Sequence, residues 1–325
     1  MIGQRLDKYT ILKSIGTGSM GTVYKAEDSQ DGRLVALKLI RSQVLYSREK
    51  REQFLQYLLD ACQVHHQGVC RILDIGDDED DFFVVTPFIE GRTLELYLDR
   101  RPLPWQAALP IGIAVAEALQ AAHSAGAIHR ALKSSNVWIQ PDGSVLVSDC
   151  GLARCAEVAK KSRAAHFGGA ADYAEVPIPM AALAYMSPEQ IRGDALDQRT
   201  DIFAFGALLY EMLTGRHPFE GRSSASRMSA ILTAEPAALG SKAGSVPPEL
   251  ERVVCRALAK EPADRFQNMS DVLAELYSVQ DREPAEKTPV PETDSRTRPA
   301  SYWWPALALV FLILCAVVAL ILARA

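Results

Sequence analysis

The chain has no surplus of basic charge: 35 Lys and Arg face 40 Asp and Glu, a formal net charge of −5. No basic stripe offers itself to phosphates, so no nucleic-acid partner is expected. Cysteine is scarce, and Cys62, Cys70, Cys150, Cys155, Cys255 and Cys315 form no CxxC pair and have no histidine at ligand spacing. They read as reduced thiols used as small hydrophobes, which excludes a disulfide framework and a structural metal. His65 and His66 are adjacent and point to different faces, so they share no metal either. The start, Met1-Ile2-Gly3-Gln4-Arg5-Leu6-Asp7, lacks the apolar core of a signal peptide.

Long apolar runs are also missing, with one exception. Ala306 to Ala323 carries no charge and spans roughly 27 Å as a helix, close to a bilayer core of about 30 Å. Tyr302, Trp303 and Trp304 suit the membrane interface, and Arg324 closes the far end. A transmembrane helix is predicted over 302–323. The preceding stretch, 280–301, is rich in Pro, Glu, Thr and Arg without apolar period and reads as a disordered tether. Lys287, Arg296 and Arg298 on that side favour a single-pass protein of the cell membrane with its main domain in the cytoplasm. Only Arg324 and Ala325 follow, so no sensor is expected beyond the span.

The remainder, 6–279, carries five ordered motifs. Gly16-Thr17-Gly18-Ser19-Met20-Gly21-Thr22-Val23 is a glycine-rich loop, a weak signal alone, followed by Val35-Ala36-Leu37-Lys38. Then come His129-Arg130-Ala131-Leu132-Lys133-Ser134-Ser135-Asn136, Asp149-Cys150-Gly151 and Ser187-Pro188-Glu189. In this order and spacing they resemble the Hanks-type Ser/Thr protein kinases, in particular the membrane-bound bacterial branch. The resemblance implies an α+β, two-lobed protein-kinase fold, with a small β-rich N-lobe and a larger helical C-lobe. Tyr9 to Ile40 alternates as three strands would, Arg48 to Val64 has helical spacing, and Phe82 to Val85 is a strand leading into a hinge, Thr86-Pro87-Phe88-Ile89. Pro110 to Ser124 and Asp201 to Thr214 read as long helices.

The resemblance also implies ATP and Mg²⁺ as cofactors and assigns roles by position. Gly16, Gly18 and Gly21 admit the phosphates closely, with Val23 and Ala36 lining the nucleotide site. Lys38 supplies charge to the α- and β-phosphates, Asn136 and Asp149 supply oxygen ligands for magnesium, and the Pro87 carbonyl and Ile89 serve the base. Asp201 is expected to brace loops, and Glu189 to pair with Arg265.

The catalytic elements depart from the template. Where the family has the aspartate that accepts the substrate proton stands Ala131, and Asn136 fixes the register. A methyl group cannot accept a proton. Counting back from Val64-His65-His66-Gln67 places Tyr57 where the lysine-pairing glutamate belongs. Asp60, one turn on, could reach Lys38 if the helix rotated, whereas Glu52 lies about 140° around it. Ala182 replaces the threonine that bridges the catalytic aspartate and the loop lysine, here Lys133, and Cys150 replaces the phenylalanine of Asp-Phe-Gly.

A positioned base contributes about 10²- to 10⁴-fold, roughly 3 to 5 kcal/mol of barrier. The sequence therefore reads as a pseudokinase that binds Mg-ATP and signals through a protein partner of unknown identity. The alternative is a slow but genuine Ser/Thr kinase, and a third reading is a nucleotide-independent scaffold.

Overall fold

Val, Ile, Thr and Tyr recur along the first forty residues, and in the computed structural model they build an antiparallel sheet. The structure describes residues 1–18, 21–40, 48–78, 81–153, 180–239 and 246–282. Strands β1 (Arg5–Leu6), β2 (Tyr9–Gly18), β3 (Gly21–Asp28), β4 (Leu34–Ile40), β5 (Asp74–Asp78) and β6 (Asp81–Pro87) form one sheet in the order β1-β2-β3-β4-β6-β5. Helix α1 (Arg48–Cys62) lies between β4 and β5 in the chain. The period of two along β4 buries Val35, Leu37 and Leu39 and turns Ala36 and Lys38 to the other face. Val23 is paired with Lys38, and Ala36 with Thr86, so these side chains share that second face.

The C-lobe is helical. Strand β7 (Arg92–Thr93) leads into α2 (Leu94–Leu98) and α3 (Trp105–Ser124). Strands β8 (Val137–Ile139) and β9 (Val145–Val147) join β7 in a second sheet, order β7-β8-β9. Then follow α4 (Met180–Leu183), α5 (Pro188–Arg192), α6 (Gln198–Thr214), α7 (Ser224–Thr233), α8 (Pro248–Ala257) and α9 (Met269–Asp281). Helix α6 is buried nearly all round, from Thr200 to Leu213, as a central helix must be. Gly206 allows its closest approach: a Cβ there would sit 2.8 Å from that of Ala257.

Two helices start earlier than the sequence reading placed them, for physical reasons. Helix α3 starts at Trp105, not Pro110. Proline inside a first turn and a half forfeits one hydrogen bond, and burial of Ala108 and Leu109 on the C-lobe core outweighs it. Helix α6 starts at Gln198, where the Asp197 side chain accepts from the Arg199 N–H. Among the described residues no helix is long and apolar enough to cross a membrane. The predicted span at 302–323 and the tether as far as Ser301, from residue 283 on, lie outside the described residues, as do Ser19, Met20, Cys155 and Cys315.

Candidate functional site

The glycine-rich motif becomes the β2–β3 hairpin, where Gly18 pairs with Gly21. Gly21 has φ 149°, and a Cβ on it would lie 1.8 Å from the Leu39 carbonyl oxygen of β4, so only glycine fits. Val23, Ala36 and Lys38 stand on the strands beside it. Pro87 ends β6 opposite Val35, and the next amide, Phe88 N–H, donates to the Leu34 carbonyl at 3.3 Å. The bond to β4 at this end of β6 is thus made by Phe88 and not by position 87, where proline has no N–H to give. Ile89 follows, half-buried.

Across the cleft, β8 and β9 carry the second half of the site. Asp149 leaves β9 with φ 64°, a left-handed backbone that aspartate tolerates better than most residues. Its Oδ1 lies 2.5 Å from Lys38 Nζ, with both side chains largely sequestered. Burial pushes the Asp149 carboxyl up. The charge and hydrogen bond of Lys38, with His129 and Lys133 adding, outweigh burial and hold it below the usual carboxylate range.

The catalytic loop is held by α6. Asp201, fully buried, accepts from His129 N–H at 2.8 Å and Arg130 N–H at 2.7 Å, and its Oδ2 lies 2.8 Å from His123 Nε2. The loop fold is thereby set without help from the side chain of residue 131. The Asn136 amide nitrogen donates to the Ala131 carbonyl at 3.0 Å, which turns its Oδ1 away and leaves that oxygen for other use. Ala131 itself is exposed. Its methyl group stands where the template has a base. The residues present fit a magnesium ion: Asn136 Oδ1 and Asp149 Oδ2 are two oxygen donors, and a hard cation keeps several waters.

Helix α1 settles the lysine's partner. Tyr57 packs on the cluster of Ile40, Phe54, Leu58, Phe82, Val84 and Leu152, and its hydroxyl accepts from Gln53 at 3.0 Å. Asp60 is exposed and accepts from Gln56 Nε2 at 3.0 Å, so it does not reach over to replace the missing glutamate. Glu52 is exposed as well. Among the described residues the carboxylate on Lys38 is Asp149. Cys150 is buried, and burial pushes its thiol up to about 12, which leaves it an inert hydrophobe.

Below the loop, Arg265 is wholly buried and places all five guanidinium N–H groups: on both oxygens of Glu189 at 2.7 and 2.8 Å and on the carbonyls of Arg199, Ala259 and Lys260. Thr200 donates to the same Glu189 at 3.0 Å. The bracing roles expected for Asp201, Glu189 and Arg265 are thus visible as contacts.

A second network escaped the sequence reading. The Tyr185 hydroxyl donates to Glu211 of α6 at 2.5 Å and lies 2.8 Å from the Ser134 hydroxyl of the catalytic loop. Gln190 of α5 adds a bond from Nε2 to the Arg130 carbonyl at 2.8 Å. The one available signal was the lone acid at Glu211 between apolar residues of a buried helix.

The model of the protein kinase domain family matches residues 9–278. The serine/threonine-protein kinase PrkC of Bacillus subtilis is 32% identical over 283 residues, covering 86% of this chain and 42% of its own length. PknL of Mycobacterium tuberculosis is 32% identical over 303 residues, covering 91% of this chain and 72% of PknL. The chain spans about two fifths of PrkC and of a Clostridium perfringens relative, 42% and 39%. The crystal structure of the Mycobacterium tuberculosis PknI kinase domain superposes with a TM-score of 0.65 at 24% identity, covering 86% of this chain and 98% of that one, a likeness of fold. Motifs, lobes and relatives agree: the chain belongs to the protein kinase domain family, among the Hanks-type Ser/Thr kinases of bacteria.

Proposed function

We propose that this protein is a membrane-tethered pseudokinase that binds Mg-ATP or Mg-ADP and works through contacts with a protein partner. One observation carries the reading: the catalytic loop is fully braced by Asp201 and Asn136, yet position 131 presents an exposed methyl group. The loss is therefore one of chemistry and not of architecture. Lys38 would contact the α- and β-phosphates, with Val23 and Ala36 against the nucleotide and Ile89 at the base. Asn136 and Asp149 would hold magnesium, which when bound neutralises charge on the phosphates. Because Lys38 leans on Asp149 instead of a helix glutamate, the two halves of the cradle are already drawn together. The uncharged run Ala306–Ala323 would anchor the chain with the kinase-like domain on the cytoplasmic side.

A slow Ser/Thr kinase is the second reading. It is favoured by Lys133, whose charge acts on Asp149, since transfer leans mainly on positioning and electrostatics. Nucleotide titration by thermal shift with and without magnesium, beside a phosphotransfer assay, separates the readings. A melting temperature raised by Mg-ATP, reduced in Lys38→Met and Asp149→Ala, with transfer at background, is the expected result. Robust autophosphorylation lost in Lys38→Met would establish the enzyme, and no shift at millimolar Mg-ATP would leave a scaffold.

A further inference from the structure

The loss of two carboxylates changes the charge of the cleft as well as its chemistry. Tyr57 and Ala131 stand where the family template has a glutamate and an aspartate. The charges acting on Asp149 are those of Lys38, His129 and Lys133, so its single carboxylate faces two ammonium groups. Asn136, the other oxygen donor of the site, is neutral. The carboxylate that braces the catalytic loop, Asp201, is engaged elsewhere: it accepts from the His129 and Arg130 N–H groups and faces His123 Nε2. The cleft therefore carries a surplus of positive charge around its one metal-binding carboxylate.

Lys38 Nζ lies 2.5 Å from Asp149 Oδ1, and the two side chains are only 16% and 26% exposed, so water screens the pair poorly. A lysine held by a helix glutamate would leave both oxygens of Asp149 open. Here an ammonium group closes Oδ1, and the same charge opposes a divalent cation approaching Oδ2. At the effective dielectric of a protein site, charges about 4 Å apart interact strongly enough to change an affinity by more than tenfold. Polyphosphate has the opposite preference: it carries more negative charge than one carboxylate and offers a lysine ammonium, a mobile point charge, a better partner.

We propose that Lys38 is a latch on Asp149: in holding that carboxylate it closes it to divalent cations, and the phosphates of a nucleotide open it by drawing Lys38 to themselves. The latch follows from the ion pair, while its release rests on the nucleotide reading given above. Nucleotide and cation are thereby taken up in a fixed order, phosphates first. The device exists because α1 presents Tyr57 to its apolar cluster and no carboxylate to Lys38.

Mn²⁺, which shares the oxygen preference of magnesium and can be counted by electron paramagnetic resonance, tests this on the full chain in detergent near neutral pH. Ions held elsewhere, for example on the acidic stretch Asp77-Asp78-Glu79-Asp80-Asp81, are common to all variants and cancel in the differences. Without nucleotide, wild type and Asp149→Asn should bind Mn²⁺ equally. Lys38→Met should bind an additional ion at least about tenfold more tightly than wild type does, and the gain should vanish when Asp149→Asn is added. Lys38→Arg, which keeps a cation on Asp149, should behave as wild type. With ADP, wild type should bind more Mn²⁺ than Asp149→Asn. Melting curves establish that each variant is folded, and the comparison of wild type with and without ADP needs no substitution. Wild type exceeding Asp149→Asn without nucleotide, no gain in Lys38→Met, or an equal gain in Lys38→Arg would each overturn the latch. Equality of wild type and Asp149→Asn with ADP would overturn its release by phosphates, and an ADP that also leaves the melting temperature unmoved would overturn the nucleotide reading itself.

Discussion

Replacing Glu211 with glutamine should change how stability responds to pH. Glu211 lies in α6 between Tyr185 and Ser134, and burial, only partly offset by those two hydroxyls and reinforced by Glu95, raises its carboxyl from 4.5 to about 7. Below pH 4.5 it is protonated in folded and unfolded chains alike. Between 4.5 and 7 the unfolded chain releases its proton while the folded one keeps it, so stability falls as pH rises through that window. Above 7 the loss is complete, at about 3 kcal/mol, since each pKa unit is worth about 1.4 kcal/mol. Glu211→Gln preserves a polar partner for Tyr185 and cannot ionise. Urea midpoints of wild type and Glu211→Gln, on a chain truncated after Pro284, should be compared at steps from pH 4.5 to 8. All other carboxylates are common to both, so the difference isolates Glu211. The glutamine variant should gain on wild type by about 3 kcal/mol across this range, most of it before pH 7. Parallel curves would refute the burial argument, and a wild type that gains on the variant with rising pH would show that the ionised carboxylate is the one the fold stabilises.

Arg265→Met leaves Glu189 buried without its guanidinium and should cost about 3 to 5 kcal/mol by urea denaturation, while the double change with Glu189→Gln should recover part of it. A loss near zero for the single variant would mean that the pair is solvated. Ala131→Asp alone should raise phosphotransfer far less than Ala131→Asp with Tyr57→Glu and Ala182→Thr, because groups that act as a unit are non-additive; equal rates in the two variants would show that the base alone was missing. The full chain should remain with membranes through carbonate and high-salt washes, and a chain truncated after Asp281 should be released; extraction of the full chain by salt would rule out a spanning helix.

The glycine loop, Lys38, the catalytic loop and the Asp149 motif were legible in the sequence because each is short and its spacing is set by local geometry: a hairpin, a strand of period two, a tight loop. Ala131 was visible for the same reason. Position in the chain also placed Tyr57 where a glutamate belongs. The choice of a new partner for Lys38 was not visible, because Asp149 is far along the chain and only the closure of the two lobes brings it to 2.5 Å. Strand β5 was missed as well: Asp74-Ile75-Gly76-Asp77-Asp78 has little β propensity and is ordered by pairing with β6. The Ser134, Tyr185 and Glu211 network arises where segments distant in sequence are packed around α6. Local spacing determined which chemical groups this chain carries. The burial of α6 decided which of them meet, because a polar group enclosed there must find its partner within the fold.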